Sequence, residues 1–341
     1  MALAMLRSVR RSLIVTAVLT SVLACNRDER TVAGGHVLSE PAQLCREGAP
    51  LRSCRTAEDV EALLQRDDLE ILAASETSTG VQRARVLTLR SGGPDPVVFR
   101  AKWRAHTTTT RRNSPRFELA AYAVQKLFLA PREYVVPPTA AQCVPIEAYR
   151  ARVDPAAQPT FRGSGCVYGI LSYWLEGVTS IADAQKAGWF HGVHDHAFDP
   201  DLFARDPGYR DSIARVNLLT YVIGHADSHA RNFVLARAGA LPVGHAVYSV
   251  DNSLAFTMHK NPRLEARHDW SAIRVPALPR DAIERLRSAR ERLPSLGKIA
   301  VLRLAAGEPV VVGLTAPEID GIRVRIDALL ARVNRGELRL Y

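Results

Sequence analysis

The chain has 341 residues and a formal net charge of +10, and 40 of its 45 basic residues are arginine. These arginines are scattered and form no patch with aromatic residues, which argues against nucleic acid as a partner and favours an anionic membrane surface or an acidic substrate. The length is near the upper limit for a single hydrophobic core, so we expect two lobes.

The N-terminus has the pattern of an export signal. Arginines in the first eleven residues precede Ser12–Ala24, an uncharged and mostly apolar run that is too short to span a bilayer as a helix. The run ends Ser-Val-Leu-Ala-Cys, which resembles a bacterial lipobox. We therefore expect residues 1–24 to be a signal peptide, Cys25 to be lipidated, and residues 25–55 to tether an exported, membrane-anchored protein facing the periplasm or the cell exterior. The alternative is ordinary cleavage near Ala24 with a free Cys25.

Four cysteines follow Cys25. An even number in an exported protein predicts two disulfides. Four cysteines allow three pairings, and proximity in the sequence favours Cys45–Cys54 and Cys143–Cys166. Four free buried thiols would instead require that the chain is not exported.

The first lobe is predicted to be rich in strands. Thr56–Gln65 is a short helix with Thr56 as N-cap and Asp59 at the third position. Residues Ala73–Trp103 read as a three-strand meander with turns near Gly80 and at Ser91–Pro96.

Lys102 and Glu118 form a candidate ion pair. Lys102 lies at the end of a predicted strand, and in a chain with five lysines this residue type is expected mainly where arginine will not serve, such as a contact with phosphate oxygens. Arg116–Phe128 has helical periodicity with Glu118 in its first turn, where the carboxylate could reach Lys102. Alternatively, Glu118 only suits the helix N-terminus and Lys102 is a solvated strand end.

Two sequence segments in the second half of the chain contain further polar residues that are candidates for a functional site. GHADSHARNFVL (Gly224–Leu235) places Asp227 five residues before Asn232, and YSVDNSLAF (Tyr248–Phe256) places Asp251 after a short apolar run. Phosphoryl transfer from a nucleotide needs a carboxylate for the attacking hydroxyl and oxygen ligands for Mg²⁺. The alternative is two unrelated polar turns, since Asp, Asn and Ser are common turn residues.

The remaining segments are predicted to be mainly helical. Helical patterns cover Asp211–Ile223, Arg280–Leu296 and Ala316–Val333. His191, His194 and His196 crowd together in a short segment that we interpret as an exposed insert rather than a metal site.

Taken together, five segments resemble the atypical protein-kinase-like fold shared by phosphatidylinositol kinases, HipA-type kinases and secretory-pathway kinases. They are VFRAKW, FELAAYAVQKLF with YVVPPT, YGILSYWLEG, the D-x-H-x-x-N loop and VDNSLAF. The resemblance implies an α+β, two-lobed fold with a small β-rich N-lobe that has one helix (residues 56–165) and a larger, mainly helical C-lobe (residues 166–341).

The resemblance also implies roles for the polar residues. Lys102 and Glu118 would pair at the nucleotide phosphates, Asp227 would be the catalytic carboxylate, and the metal ligands for Mg²⁺ or Mn²⁺ would be Asn232 and Asp251. YGILSYWLEG would be the hinge strand beside adenine. The phosphate-binding loop should lie in Ala74–Leu89, a segment with one glycine, Gly80, and no full Gly-x-Gly-x-x-Gly pattern.

These expectations define a function and its alternatives. The sequence predicts an exported kinase that moves phosphate from ATP to a hydroxyl of a protein, sugar or lipid. The alternatives are a nucleotide-binding pseudokinase, a kinase-fold protein that transfers AMP, and a cytosolic HipA-like serine/threonine kinase. Retention of Asp227 argues against a pure binding module, which would not need it.

Overall fold

The computed structural model describes residues 43–44, 54–77, 84–106, 113–188, 190, 197–236, 246–256, 269–302 and 309–341. The chain divides into Met1–Gly35, of which no residue is described, and His36–Tyr341, to which the following account applies. The signal peptide, Cys25, Cys45, Gly80 and the three clustered histidines lie outside the described residues, so the predictions made for them remain predictions.

The N-terminal lobe is built on a five-stranded antiparallel sheet with the order β3-β4-β5-β7-β6. A separate pair of two-residue strands, β1 and β2, precedes it. The elements of this lobe are β1 (Gln43–Leu44), β2 (Cys54–Arg55), α1 (Ala57–Leu64), β3 (Glu70–Glu76), β4 (Arg85–Arg90), β5 (Val98–Ala105), α2 (Arg116–Gln125), a 3₁₀ turn (Pro131–Glu133), β6 (Thr139–Pro145), α3 (Ile146–Arg152) and β7 (Cys166–Tyr173).

The side chains of β5 alternate between the hydrophobic core of the lobe and a face that carries charged residues. Ala101 and Trp103 are buried in one hydrophobic cluster with residues of α1 and α3. Lys102 and Arg104 project to the opposite face, because successive side chains of a strand alternate between the two faces of the sheet. α2 packs against β6 and β7, and it supplies a carboxylate to Lys102 and Arg104.

The three-strand meander and the first helix are as the sequence predicts. The side chain of Thr56 accepts a hydrogen bond from the Asp59 backbone N–H at 3.1 Å, and the Asp59 carboxylate accepts one from the Thr56 N–H at 3.2 Å. This reciprocal pair is a capping box, which satisfies two backbone donors at the start of α1.

The structure adds two details to the predicted lobe. Its described part holds three helices, since α1 and α3 cover the sheet face opposite to α2. The boundary predicted between residues 165 and 166 would also cut off β7, which pairs with β5 on one side and β6 on the other. The N-terminal sheet therefore extends to Tyr173.

The C-terminal lobe is mainly helical, which confirms the two-lobed α+β architecture. The elements of this lobe are β8 (Val178–Ser180), α4 (Ile181–Lys186), α5 (Pro200–Arg205), α6 (Pro207–Val222), β9 (Phe233–Ala236), β10 (Ala246–Ser249), a 3₁₀ turn (Asn252–Leu254), β11 (Ala277–Leu278), α7 (Arg280–Arg292), a 3₁₀ segment (Leu293–Lys298), β12 (Ala300–Leu302), β13 (Val310–Val312), α8 (Ala316–Asn334) and β14 (Arg339–Leu340).

Helix α6 lies at the centre of this lobe. It packs against β10, which belongs to a small antiparallel sheet of order β10-β9-β8, and against α5 and α8. It begins at Pro207 rather than at the predicted Asp211, because the side chain of Asp206 caps the backbone N–H of Tyr209 at 2.9 Å and proline is favoured in the first turn of a helix. Among the described residues, no helix is both long and apolar enough to cross a membrane.

A disulfide joins Cys143 on β6 to Cys166 on β7, with the two Cα atoms 5.5 Å apart. This confirms one of the two predicted pairings. The second lies outside the described residues, because Cys45 is not described. The bond links two strands that are already hydrogen-bonded to each other, and β7 leads directly to the cleft between the lobes.

We predict that losing this disulfide lowers the free energy of unfolding by about 3 kcal/mol. The bond joins residues 23 positions apart, and the loop-closure entropy of the unfolded chain gives a value of that size. The measurement is urea unfolding of the wild type and of the Cys143→Ser/Cys166→Ser double variant, each with and without reductant. Reductant should destabilise the wild type by about 3 kcal/mol more than the double variant, in which only the predicted Cys45–Cys54 bond could be reduced. An equal loss in both proteins would show that Cys143–Cys166 is not responsible.

Candidate functional site

Lys102 is the centre of a cluster of charged side chains between the lobes. Its Nζ lies 3.2 Å from Glu118 Oε1 on α2 and 3.2 Å from Asp251 Oδ1, which follows β10. Burial alone would lower the pKa of Lys102, but the two carboxylates outweigh it and the pKa is raised. The ammonium is therefore charged, and the predicted pairing of Lys102 with Glu118 is present in the structure.

Asp251 is held in an uncommon backbone conformation. Its φ of 57° and ψ of 48° place it in the left-handed region, which few non-glycine residues other than asparagine and aspartate adopt and which recurs at functional sites. Burial would raise the pKa of this carboxyl, but Lys102, Arg104 and a hydrogen bond from Ser253 Oγ to Oδ1 lower it to about 2. Asp251 is thus an ionised carboxylate throughout the physiological range of pH.

Asp227 and Asn232 lie in one tight loop that follows α6. After α6, Gly224 with a φ of 56° turns the chain away from the helix. Asn232 Nδ2 donates to the backbone oxygen of Asp227 at 2.8 Å and to its Oδ2 at 3.2 Å. The backbone N–H of Val250 donates to the Asn232 carbonyl at 2.8 Å, which brings the loop beside the residue preceding Asp251.

A cavity of about 230 Å³ lies where these groups meet. The polar part of its lining includes Lys102, Glu118, Asn232 and Asp251. Asp227 does not line the cavity, but its carboxylate accepts a hydrogen bond from Asn232, which does. The apolar part of the lining comes from four places: the end of β7 and the segment after it (Tyr173, Trp174, Leu175, Val178), the segment before β6 (Val136, Pro137), strand β9 (Val234) and the residue after β10 (Val250). The lining therefore has a charged part around Lys102, which we call the charged end, and an apolar part, which we call the apolar end.

A larger cavity of about 860 Å³ lies on the other side of α2, between β6 and the 3₁₀ segment before β12. It is not the better candidate, because its lining lacks the charged residues that converge at Lys102. Among the described residues, no group of three or more His, Cys, Asp and Glu is placed to hold a metal ion without other ligands. A metal at the Lys102 cavity would therefore need ligands from a substrate in addition to Asn232 and Asp251.

The sequence interpretation missed several residues of this site. Arg104 contacts both Glu118 and Asp251, Ser172 Oγ donates to Glu118 Oε2 at 3.3 Å, and Ser253 binds Asp251. The signal for Arg104 was its position two residues after Lys102 in a strand, which places both on one face. Ser172 is opposite Lys102 in the β5–β7 register, and only the pairing of the strands reveals that.

His229 is a further missed neighbour of Asp227. Its Nε2 lies 3.6 Å from Asp227 Oδ1, and its Nδ1 accepts a hydrogen bond from the Arg231 backbone N–H at 3.2 Å. When the imidazole is neutral, this arrangement assigns the proton to Nε2, which faces the carboxylate. The D-x-H spacing in the sequence was the available signal for this contact.

A buried histidine makes the stability of this loop dependent on pH. His225 is fully buried, and its Nδ1 accepts a hydrogen bond from the Asp227 backbone N–H at 3.1 Å. Burial lowers its pKa below the ordinary value of 6.5, although the nearby Asp227 and Asp251 oppose that effect. Below pH 6.5 the unfolded chain therefore binds a proton that the folded chain does not, and folding becomes less favourable.

We predict that wild-type stability falls as the pH drops below about 6.5, with a slope from this residue of up to about 1.4 kcal/mol per pH unit. The His225→Asn variant lacks the titrating group and should have a smaller pH dependence. His106, whose pKa burial also lowers, is present in both proteins and cancels in the difference. Urea unfolding at several pH values gives the two slopes, and parallel slopes would contradict the assignment.

Comparisons with known proteins give little further information. No protein-family model matches the chain, and no curated protein matches it. Among solved structures, it is similar to the crystal structure of CtkA, a proinflammatory kinase of Helicobacter pylori, with a TM-score of 0.37 and 8% sequence identity. The match covers 76% of this chain and 91% of the other. A likeness of this size supports no conclusion about activity.

Proposed function

We propose that the chain is a kinase-like phosphotransferase that moves the terminal phosphoryl group of ATP to a hydroxyl of a protein, sugar or lipid. The observation that carries the proposal is the position of Lys102 Nζ, 3.2 Å from Glu118 and 3.2 Å from Asp251, in the charged end of the cavity. Protein kinases require a Lys–Glu ion pair and a metal-binding aspartate at the nucleotide phosphates, and Lys102, Glu118 and Asp251 supply these three groups.

The chemistry of the side chains fits a divalent metal bound together with phosphate. Asp251 supplies a carboxylate that stays ionised, and Asn232 supplies an amide oxygen while its Nδ2 donates to Asp227. Such oxygen ligands suit Mg²⁺ or Mn²⁺, and Mg²⁺ is usually bound by one or two protein groups plus substrate phosphates. When bound there, the metal would neutralise negative charge on the phosphoryl oxygens.

Asp227 is assigned to the acceptor hydroxyl. Its carboxylate is held by Asn232 and approached by His229, and it is not part of the cavity lining. A carboxylate in that position can orient the hydroxyl and accept its proton as the oxygen attacks phosphorus. The apolar end of the cavity, which includes Tyr173 and Leu175, suits the adenine ring beside the hinge that follows β7.

We also propose that the protein is exported and anchored to a bacterial membrane through Cys25. The signal-like N-terminus supports this location, and the Cys143–Cys166 disulfide agrees with it, because disulfides persist mainly outside the reducing cytosol. Activity at that location requires a source of extracytoplasmic nucleotide.

The transferred group is tested by intact-mass spectrometry of the purified protein, and of added acceptors, after incubation with ATP and Mg²⁺ or Mn²⁺. Transfer of phosphate adds about 80 Da and supports the proposal. An addition of about 329 Da would identify AMP transfer, and nucleotide binding without any transfer would indicate a pseudokinase. The Asp227→Asn variant is the control, because transfer by a contaminating kinase would persist in it.

A further inference from the structure

We propose that Arg104 is a positioning residue of this site: it holds Glu118 and helix α2 against the sheet, so that Lys102 remains available for the nucleotide. The role assigned to Lys102 rests on the proposed function. The role assigned to Arg104 rests on contacts within the chain and can be tested separately.

The contacts of Glu118 show that Arg104 is its nearer cation. Arg104 Nη1 lies 2.8 Å from Glu118 Oε1, whereas Lys102 Nζ lies 3.2 Å from the same atom. The side chains of Arg104 and Glu118 are only 7% and 6% exposed, while that of Lys102 is 18% exposed. A close, buried hydrogen bond between two charged groups is among the stronger polar contacts, and removing one partner leaves the other charge buried.

A second contact ties the same guanidinium to the segment before α2. Arg104 Nη2 donates to Asn113 Oδ1 at 2.8 Å. The residue at the N-cap position of α2 is Pro115, whose side chain cannot accept a hydrogen bond from the first turn. The planar, forked guanidinium thus joins β5 to both Asn113 and Glu118 at a helix start without a capping side chain.

The cluster has two cations and two anions. Besides Glu118, Arg104 Nη1 lies 3.5 Å from Asp251 Oδ1, the atom that also contacts Lys102. If Lys102 turned toward a phosphate, Glu118 would still have a charged partner and would not be left as an unpaired buried anion. The position of α2 should therefore not depend on whether Lys102 is engaged.

Hydrogen exchange of the α2 peptide tests this division of roles in the protein without nucleotide. In the Arg104→Met variant we expect the α2 amides to exchange at least tenfold faster than in the wild type. In the Lys102→Met variant we expect a change of less than threefold. Arg104→Lys keeps the charge but cannot span both Asn113 and Glu118. The α2 amides of this variant should therefore exchange faster than those of Lys102→Met and more slowly than those of Arg104→Met. Arg90→Met, which removes an arginine paired with Glu70 on the neighbouring strand, is the matched control and should leave α2 unchanged.

Two results would overturn the proposal. One is unchanged exchange of α2 in Arg104→Met, and the other is equal acceleration in Lys102→Met, which would make Lys102 an anchor as well. If Arg104→Met loosens the whole chain, seen as faster exchange of α8, the Asn113→Ala variant decides instead. This variant removes the hydrogen bond between Arg104 and Asn113 and leaves the ion pair with Glu118. Faster exchange confined to the α2 amides would support the proposal, and unchanged α2 exchange would contradict it.

Binding of the fluorescent nucleotide mant-ATP with Mn²⁺ tests the part that involves Lys102. Lys102→Met should raise the Kd at least tenfold, while Arg104→Met should raise it by a smaller factor of about three, because the lysine is still present but Glu118, without Arg104, holds it more strongly. Loss of binding in both variants to the same extent would contradict the separate roles. A wild type that binds no mant-ATP would contradict the proposed function, and the exchange results would still decide the role of Arg104.

Discussion

Replacing Asp251 with asparagine should weaken metal-dependent nucleotide binding at least 100-fold, which corresponds to about 2.8 kcal/mol. The variant keeps the size of the side chain but removes the negative charge, which is the principal attraction for a divalent metal. The carboxylate also faces Lys102 and Arg104, so its loss leaves two cations with only Glu118 between them. The measurement is titration of mant-ATP into wild type and variant in the presence of Mn²⁺.

The same titration in EDTA shows whether the loss concerns the metal. Without metal, the two proteins should differ far less, because the apolar end of the cavity is unchanged. Ser253→Ala is the matched control: it removes the hydrogen bond to Asp251 Oδ1 and keeps the charge. If Ser253→Ala and Asp251→Asn weaken binding equally, local geometry rather than metal ligation explains the effect.

Replacing Asp227 with asparagine should lower turnover by a factor of about 100 to 10,000 and leave the Kd for mant-ATP within threefold of the wild type. The carboxylate is assigned to the acceptor hydroxyl, and general-base catalysis by a positioned side chain typically contributes a factor of about 100 to 10,000. Asparagine can still contact Asn232, so the loop should keep its shape. Single-turnover phosphate transfer and equilibrium nucleotide binding measure the two quantities.

The comparison between Asp227 and Asp251 separates their roles. Asp251→Asn should lose both binding and turnover, whereas Asp227→Asn should lose turnover alone. His229→Asn, which changes the neighbour of Asp227 and keeps the carboxylate, should have a smaller effect on turnover than Asp227→Asn. If Asp227→Asn and Asp251→Asn lose nucleotide binding to the same extent, the assignment of one residue to the hydroxyl and the other to the metal is wrong.

The sequence predicts those parts of the structure that depend on local spacing. The helix start at Thr56 has a capping pattern, and the alternating residues of the meander indicate strands, so both elements form where expected. Glu118 lies in the first turn of its helix, which limits the places that its carboxylate can reach. The pairing with Lys102 follows once the helix packs on the sheet.

The parts that depend on tertiary packing could not be predicted in the same way. β7 reads equally well as the first strand of the second lobe or the last strand of the first, and only its pairing with both β5 and β6 decides. The contact between Arg104 and Glu118 requires both the alternation along β5 and the position of α2. The left-handed backbone conformation of Asp251 could not be predicted either, because the usual sequence indicator of a positive φ is glycine and this position holds aspartate.

The most direct test of the account is a crystal structure of the protein with a non-hydrolysable ATP analogue and Mn²⁺, with the metal located by its anomalous scattering. We predict a manganese peak about 2 Å from oxygens of Asp251 and Asn232, with phosphate oxygens next to Lys102 and adenine in the apolar end of the 230 Å³ cavity. Nucleotide bound elsewhere, such as in the larger cavity behind α2, or a metal that does not contact Asp251, would contradict the proposed nucleotide site.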